Sequence, residues 1–440
     1  MLRLLVLLCY NLVYPLALVA MAPAAWRKMT ARGGQARDLW QRLGFFSDEV
    51  TAKLRDWQAT EEVLWIHAVS VGEVGIAAKL IRELRCQRPA LKCVLTSTTP
   101  TGWALAGNCE QEHNGAVLPL YSPLDGWGTV RRFLATIRPE RLILVEAEVW
   151  PNLVFAARRR NVPVALVNAR LSPRSERRFR SWRWLAQPVY EMISHICVQE
   201  AADVVRFAET FGVDPARIHH TGSIKFDMAG EVEPVAQVAE FRSLIAQLGW
   251  QPDAPILLAA STHAGEEIEL GRVWQRVAQE VVGLRCVIVP RHVERTASIE
   301  LELAELGVLL QRRSQIGGGG SSAPVLLVDT TGELRAWQYL ADVVVVGKSF
   351  LATGGQNPAE AAMAGVPVVF GPHMENFDAL VALLLSKGGA SQVQDFAELE
   401  VVVRQLLQNP SDAKLMAEAG RAALQAHEGS TRRTVAALLR

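Results

Sequence analysis

The chain has 440 residues, half of them apolar, enough for two or three domains with filled cores, which excludes a small stapled scaffold. Its 46 basic and 45 acidic residues leave a net charge of +1, so no global attraction to nucleic acid or another polyanion is expected. Six cysteines without a C-x-x-C pair fit a reducing compartment and exclude a zinc ribbon, and twelve Trp with 21% charged residues exclude a disordered chain.

The first element is an uncharged run, Leu4 to Trp26. As a helix it would be about 34 Å long, enough for a hydrocarbon core of about 30 Å. Asn11, Pro15 and Pro23 leave a half-embedded helix as the alternative to a spanning one, and no cleavage site for a signal peptide stands out. Arg27, Lys28, Arg32, Arg37 and Arg42 follow, against Asp38, and place the body on the cytoplasmic side of a membrane. We expect residues 1–27 to be an uncleaved anchor.

From residue 63, short β-rich apolar runs alternate with helical patterns: 63–69, 93–98, 116–121, 142–149, 164–167 and 196–199. After a Pro- and Gly-marked break at 228–254, the alternation restarts at 256–260, 286–290, 325–328, 343–346 and 366–370. Continuous apolar strands separated by helices predict an α/β protein with parallel sheets covered on both faces. Two doubly wound domains follow, over 28–230 and 231–440, with ligands beyond the carboxyl ends of the strands and a cleft between the domains. The Gly-rich stretch 316–322 reads as a flexible loop.

Several motifs carry chemistry. The first strand ends in Ser70-Val-Gly72-Glu73, which puts Glu73 in the first turn of the next helix. An acid there offsets the helix dipole with no catalytic role, or it serves as a site base. The pair Gly72-x-x-Gly75 lacks the spacing of a dinucleotide fingerprint. In the run 144–152, strand alternation sends Glu146 and Glu148 to one face; Glu146 is the better site candidate and Glu148 the better structural partner, one of them pairing with an Arg.

Six arginines, Arg170, Arg174, Arg177, Arg178, Arg180 and Arg183, face the single Glu176 among Phe179, Trp182 and Trp184. Such a run is usually a solvated face, but beside an anchor it suits anionic lipid or a lipid phosphate better than nucleic acid. Farther on, Pro290, Arg291 and His292 close a strand, and Asp329-Thr-Thr331-Gly332-Glu333-Leu334 opens a helix. In Gly354-Gly355-Gln-Asn357-Pro358-Ala359-Glu360, Asn357 suits an N-cap, Pro358 the first helical position and Glu360 the third. The same segment suits a nucleotide, with a phosphate against the glycines and a carboxylate on the ribose hydroxyls.

No D-x-D, Walker A, H-E-x-x-H or G-x-S-x-G occurs, and His263 with Glu266 makes a weak metal signal. We expect no metal and no cofactor.

Taken together and in order, the apolar start, Ser70-Val-Gly-Glu73, Glu146-Ala-Glu-Val-Trp-Pro151, Asn168-Ala-Arg-Leu-Ser172, Thr221-Gly-Ser-Ile-Lys-Phe-Asp227, Ser261-Thr-His263-x-Gly-Glu266, Val289-Pro-Arg-His292, Gly332-Glu-Leu334 and Gly354-Gly-x-Asn-Pro-x-Glu360 resemble the 3-deoxy-D-manno-octulosonic acid (Kdo) transferase family of lipopolysaccharide synthesis. The resemblance covers essentially the whole chain. It implies a GT-B glycosyltransferase fold of two Rossmann-like domains on the cytoplasmic face of a bacterial inner membrane rich in anionic lipids, with CMP-Kdo as donor and a lipid A precursor as acceptor.

The resemblance makes Glu73 the general base and assigns Glu146 and Lys225 to transition-state stabilisation. It puts CMP on Pro290, Arg291, Thr331, Gly332, Glu333, Asn357, Pro358, Ala359 and Glu360. Ser261, His263, Lys348, Gly354 and Gly355 are further donor-side candidates, and Ser70, Gly72, Arg170, Arg174, Arg177 and Arg178 are acceptor-side ones. Two positions depart from the family pattern: Gly347-Lys348 stands for Gly-Gly, and Gln356 for His. A nucleotide-sugar epimerase of similar fold is the alternative enzyme, and a non-catalytic tethered binding protein, with no need of Glu73, is the alternative class.

Overall fold

The computed structural model describes residues 6–18, 20, 36–60, 62–228, 234–316 and 323–439. These divide into two compact units, 1–227 with 429–440 and 228–428.

The first unit is built on seven parallel strands in the order β3-β2-β1-β4-β5-β6-β7. These are β1 (Val63–His67), β2 (Lys92–Ser97), β3 (Val117–Tyr121), β4 (Arg141–Val145), β5 (Val164–Ala169), β6 (His195–Val198) and β7 (Ile218–His220). Every residue of β1, β3 and β5 is buried, as expected of strands covered by helices on both faces. On one face Trp65 stacks on Phe133 with ring centroids 5.7 Å apart. Strand order reverses between β1 and β4, so the crevice beyond their carboxyl ends is this sheet's natural ligand position.

The second unit repeats the plan in the order β10-β11-β9-β8-β12-β13-β14, again all parallel. Its strands are β8 (Ile256–Thr262), β9 (Arg285–Pro290), β10 (Leu310–Arg312), β11 (Val325–Leu327), β12 (Val343–Val346), β13 (Val368–Phe370) and β14 (Ser391–Gln392). Its reversal lies between β8 and β12.

The sequence reading misses β7, β10 and β14, which have two or three residues each and no apolar run. It also assigns residues 429–440 to the second domain, whereas the Ser430–Leu438 helix packs Val435, Ala437 and Leu438 into the core of the first unit. The Asp227 carboxylate holds that helix by accepting from the Gly429 and Thr431 amides at 2.8 and 2.6 Å. Residues 317–322, and residues 229–233 of the break at 228–254, lie outside the described residues.

Of the run 4–26, residues 6–18 form a helix of about 20 Å, and the rest lies mostly outside the described residues. Among the described residues no helix is long and apolar enough to cross a membrane. This helix is keyed to the first unit on one side. Val6 and Leu7 are buried, Asn11 and Asn152 exchange amide hydrogen bonds of 2.8 and 2.9 Å, and the Tyr14 hydroxyl accepts from the Asp125 amide at 2.9 Å. Leu8, Leu12, Val13 and Leu16 stay exposed on its outer side.

Candidate active site

Glu73 is the third residue of the Val71–Gln87 helix, directly after β1. Ser70 caps that helix with an extended backbone, and its hydroxyl accepts from the Glu73 amide at 3.3 Å while donating to Glu73 Oε1 at 2.9 Å. Oε2 accepts from the Val69 amide at 2.8 Å, so both oxygens are engaged in a capping arrangement. Capping alone would leave an ordinary carboxylate. Here burial pushes Glu73 up to about 7, against the two hydrogen bonds, and the nearby Glu148 and Glu146 push in the same direction. An acid at that pKa exists in both forms near neutrality, as general acid–base chemistry requires.

Glu146 follows β4 on the other side of the strand-order reversal. The strand ends at Val145, and Glu146 turns the chain at φ +60°. Strand alternation therefore does not apply; the turn itself brings Glu146 and Glu148 within electrostatic reach of Glu73. Glu148 accepts from the Trp150 indole at 2.7 Å, burial raises its pKa, and the Arg partner expected for one of the two acids is not found among the described residues. Glu148 is thus a member of the acid group and not merely a structural partner.

Asn168, buried in β5, donates its amide N–H to Glu146 at 3.3 Å, while its Oδ1 accepts from the Ile224 amide at 2.9 Å. Ile224 opens the short turn Ile224–Phe226 that carries the exposed Lys225. Lys79, on the same helix as Glu73, donates to the carbonyls of Ile224, Lys225 and Asp227 at 3.3, 3.4 and 2.8 Å. Sequence reasoning gave no role to Asn168 or Lys79. A polar residue in the otherwise apolar run 164–169 was the available signal for the first; the second had none.

The arginine segment folds as two helices, Pro173–Ser181 and Arg183–Tyr190. Arg170, Arg174, Arg177 and Arg178 are exposed, as are Trp182 and Trp184, but Arg180 pairs with Glu176 and Glu209, both at 2.9 Å, and Phe179 packs on the core. The free basic face is smaller than the six arginines suggested.

In the second unit, Ser261 at φ +54° and His263 end β8, and Gly347-Lys348 follows β12, so both fall at the reversal of that sheet. The buried Glu266 organises this corner: its carboxylate accepts from the amides of His263, Lys348, Ser349 and Phe350 at 2.9, 2.7, 3.1 and 3.2 Å. That accounts for the His263-x-x-Glu266 spacing without a metal ion. Among the described residues, no group of three or more His, Cys, Asp or Glu is gathered as a metal site.

His263 lies 3.4 Å from the Gln356 amide and 5.7 Å from the His292 ring; burial and the Lys348 ammonium lower its pKa. Arg291, after β9, is exposed, with its backbone amide on the Thr262 carbonyl at 3.0 Å. The Thr331-Gly332-Glu333 turn is held separately, Arg313 donating to the buried Glu333 at 3.0 Å.

The helix expected to start at Pro358 begins at Ala359 and ends at Ala364. Asn357 Oδ1 accepts from the Ala359 amide at 3.1 Å, and Glu360 is half-buried in the first turn. Six residues make a weak dipole, so the helix-end argument for a phosphate loses force. The glycines also have a local reason: Gly354 and Gly355 sit at φ +106° and +66°, and a Cβ would meet Asn376 Nδ2 or Met374 Sδ at 2.5 or 2.4 Å.

Residues 37–228 match the family model described as 3-deoxy-D-manno-octulosonic-acid transferase (kdotransferase). The 3-deoxy-D-manno-octulosonic acid transferase of Bordetella pertussis is 35% identical, over 97% of this chain and 98% of its own length. That of Haemophilus influenzae is 32% identical, over 84% and 85%. Among solved structures, a UDP-GlcNAc 2-epimerase from Neisseria meningitidis bound to UDP-GlcNAc aligns with TM-score 0.50 at 13% identity, covering 86% of this chain and 99% of the other; this is a likeness of fold alone. Similarity of this extent to named transferases, over nearly the whole chain, places it in the 3-deoxy-D-manno-octulosonic acid transferase family of glycosyltransferases.

Proposed function

We propose that the protein transfers Kdo from CMP-Kdo to a lipid A precursor of the tetraacyldisaccharide 4′-phosphate type, with inversion, in lipopolysaccharide core synthesis. The observation that carries this reading is Glu73, a buried acid held by Ser70 and Val69 at the end of β1 with its pKa raised to about 7. As the acceptor hydroxyl attacks the anomeric carbon of the donor, its proton passes to the Glu73 carboxylate and the bond to the CMP phosphate breaks. Glu146 and Lys225 stabilise the charge that shifts in this step.

Pro290, Arg291, the 331–333 turn and residues 357–360 bind CMP, with Ser261, His263, Lys348, Gly354 and Gly355 near the sugar acid. A monophosphate leaving group carries less charge than a diphosphate, so Lys225 and Arg291 serve in place of a metal ion and no cofactor is used. The acceptor enters beside Ser70 and Gly72, its phosphates meeting Arg170, Arg174, Arg177 and Arg178.

The exposed Leu8, Leu12, Val13 and Leu16 and this basic face support attachment to the cytoplasmic side of the inner membrane, where the acceptor lies. Family membership favours transfer over the epimerase and tethered-binder alternatives. The test is incubation of the purified full chain with CMP-Kdo and a lipid A precursor in detergent, followed by product mass spectrometry. A mass gain of one or more Kdo units is expected, unchanged by a metal chelator and lost in Glu73→Gln; no product from the wild type, or an unimpaired Glu73→Gln, contradicts the reading.

A further inference from the structure

We infer that Asn168 is a positioning residue that sets Glu146 and Lys225 relative to each other; the inference rests on the roles proposed above for those two. Asn168 is 1% exposed and lies where the pairing of β5 with β6 breaks register, between Leu166 and Ala169. Its φ of +54° is one that Asn tolerates better than most side chains, and the bulge turns its amide out of the ladder toward the strand ends.

The two ends of that amide have different partners. The Ile224 amide can only donate, so Oδ1 must face it, at 2.9 Å, with the Ser223 hydroxyl also donating at 3.4 Å. Nδ2 is thereby directed at Glu146 Oε1, 3.3 Å away. The Gln199 side chain fixes the backbone of Asn168 by donating to its carbonyl at 2.8 Å. Lys79 grips the far side of the 224–227 turn through three carbonyls. One planar amide thus ties the carboxylate after β4 to the turn that carries the ammonium group. Aspartate, of equal size, would still accept from Ile224 but would set a second carboxylate against Glu146.

Asn168→Asp separates positioning from simple structural support. Two carboxylates at hydrogen-bond distance repel each other, so the pair takes up a proton more readily than a lone carboxylate and is fully charged only at higher pH. With the full-length enzyme in detergent, kcat at pH 7 should fall about 10- to 100-fold. The acid limb of the pH–rate profile should move upward by about one pH unit or more, while the dissociation constant for CMP stays within twofold. Adding Glu146→Gln restores a donor and acceptor pair in reverse, so the Asn168→Asp/Glu146→Gln protein should regain the melting temperature lost by Asn168→Asp but not its kcat.

A kcat within twofold of wild type with an unshifted profile overturns the inference, as does a double variant no more stable than Asn168→Asp. If Asn168→Asp does not fold, Asn168→Gly takes its place, since Gly accepts the positive φ and deletes all three side-chain bonds. A folded Asn168→Gly with wild-type kcat overturns the inference equally. The melting temperatures do not depend on substrate identity, so a wild type that forms no product contradicts the proposed function without touching the amide bridge.

Discussion

The two units share a sheet plan and differ in what stands at the reversal of strand order. In the first, that position holds acids: Glu73 with its pKa raised to about 7 by burial, and Glu146 and Glu148 close enough to raise it further. In the second, two buried acids are tied up structurally: Glu266 accepts from four backbone amides as a pin, with His263 and Lys348 beside it, and Glu267 pairs with Arg295 at 2.8 Å. The same position in the sheet thus holds carboxylates of raised pKa in one unit and carboxylates tied up by amides and an arginine in the other. The difference shows that a fold supplies a position, and the solvation of its carboxylates decides the chemistry there.

The largest effect that tests this contrast is on the acid group. Glu73→Gln should lower kcat by about 10²–10⁴, the usual range for a removed general base, in a product assay at pH 8. Next comes the pin of the second unit. Glu266→Ala leaves four backbone amides, two of them buried, without their acceptor and should cost about 2–4 kcal/mol, read as a lower melting temperature with the acids of the first unit untouched.

On the acceptor side, replacing Arg174, Arg177 and Arg178 together by Ser should raise the acceptor KM about tenfold, as loss of about 1.4 kcal/mol of phosphate contacts would, and leave CMP affinity unchanged in titration calorimetry. Equal loss of both would place these arginines outside an acceptor role. The smallest effect concerns the keyed helix. Asn11→Ala breaks a reciprocal amide pair with Asn152 and should destabilise the first unit by about 1 kcal/mol in thermal unfolding.

Much of this was legible in the sequence because parallel strands buried on both faces are spelled as unbroken apolar runs, as in Val63–His67 and Val343–Val346. Glu73 was legible as a first-turn acid, but its raised pKa was not, since that depends on burial and on acids 73 to 75 positions away along the chain. Alternation, which put Glu146 and Glu148 on one face, does not hold, because Glu146 has already left the strand at φ +60°. Asn168 and Lys79 were missed because their partners lie 22 to 56 and 145 to 148 positions away, beyond any local pattern. In the apolar start, Asn11 is legible as an interruption, but that it and Tyr14 dock the helix on the first unit is not, since their partners Asn152 and Asp125 lie far along the chain.

Most direct is a comparison of the unfolding free energy of wild type and Glu73→Gln across pH. Burial raises the Glu73 pKa from 4.5 unfolded to about 7 folded. Below about 4.5 both states are protonated and there is no penalty; as pH rises through this window the unfolded chain ionises first and the wild type loses stability; above about 7 the loss is complete. The Gln variant cannot ionise. Its stability relative to wild type should therefore grow by about 1–3 kcal/mol between pH 4.5 and 7 and then level off; a difference that does not change with pH would contradict a base tuned to neutrality at this site.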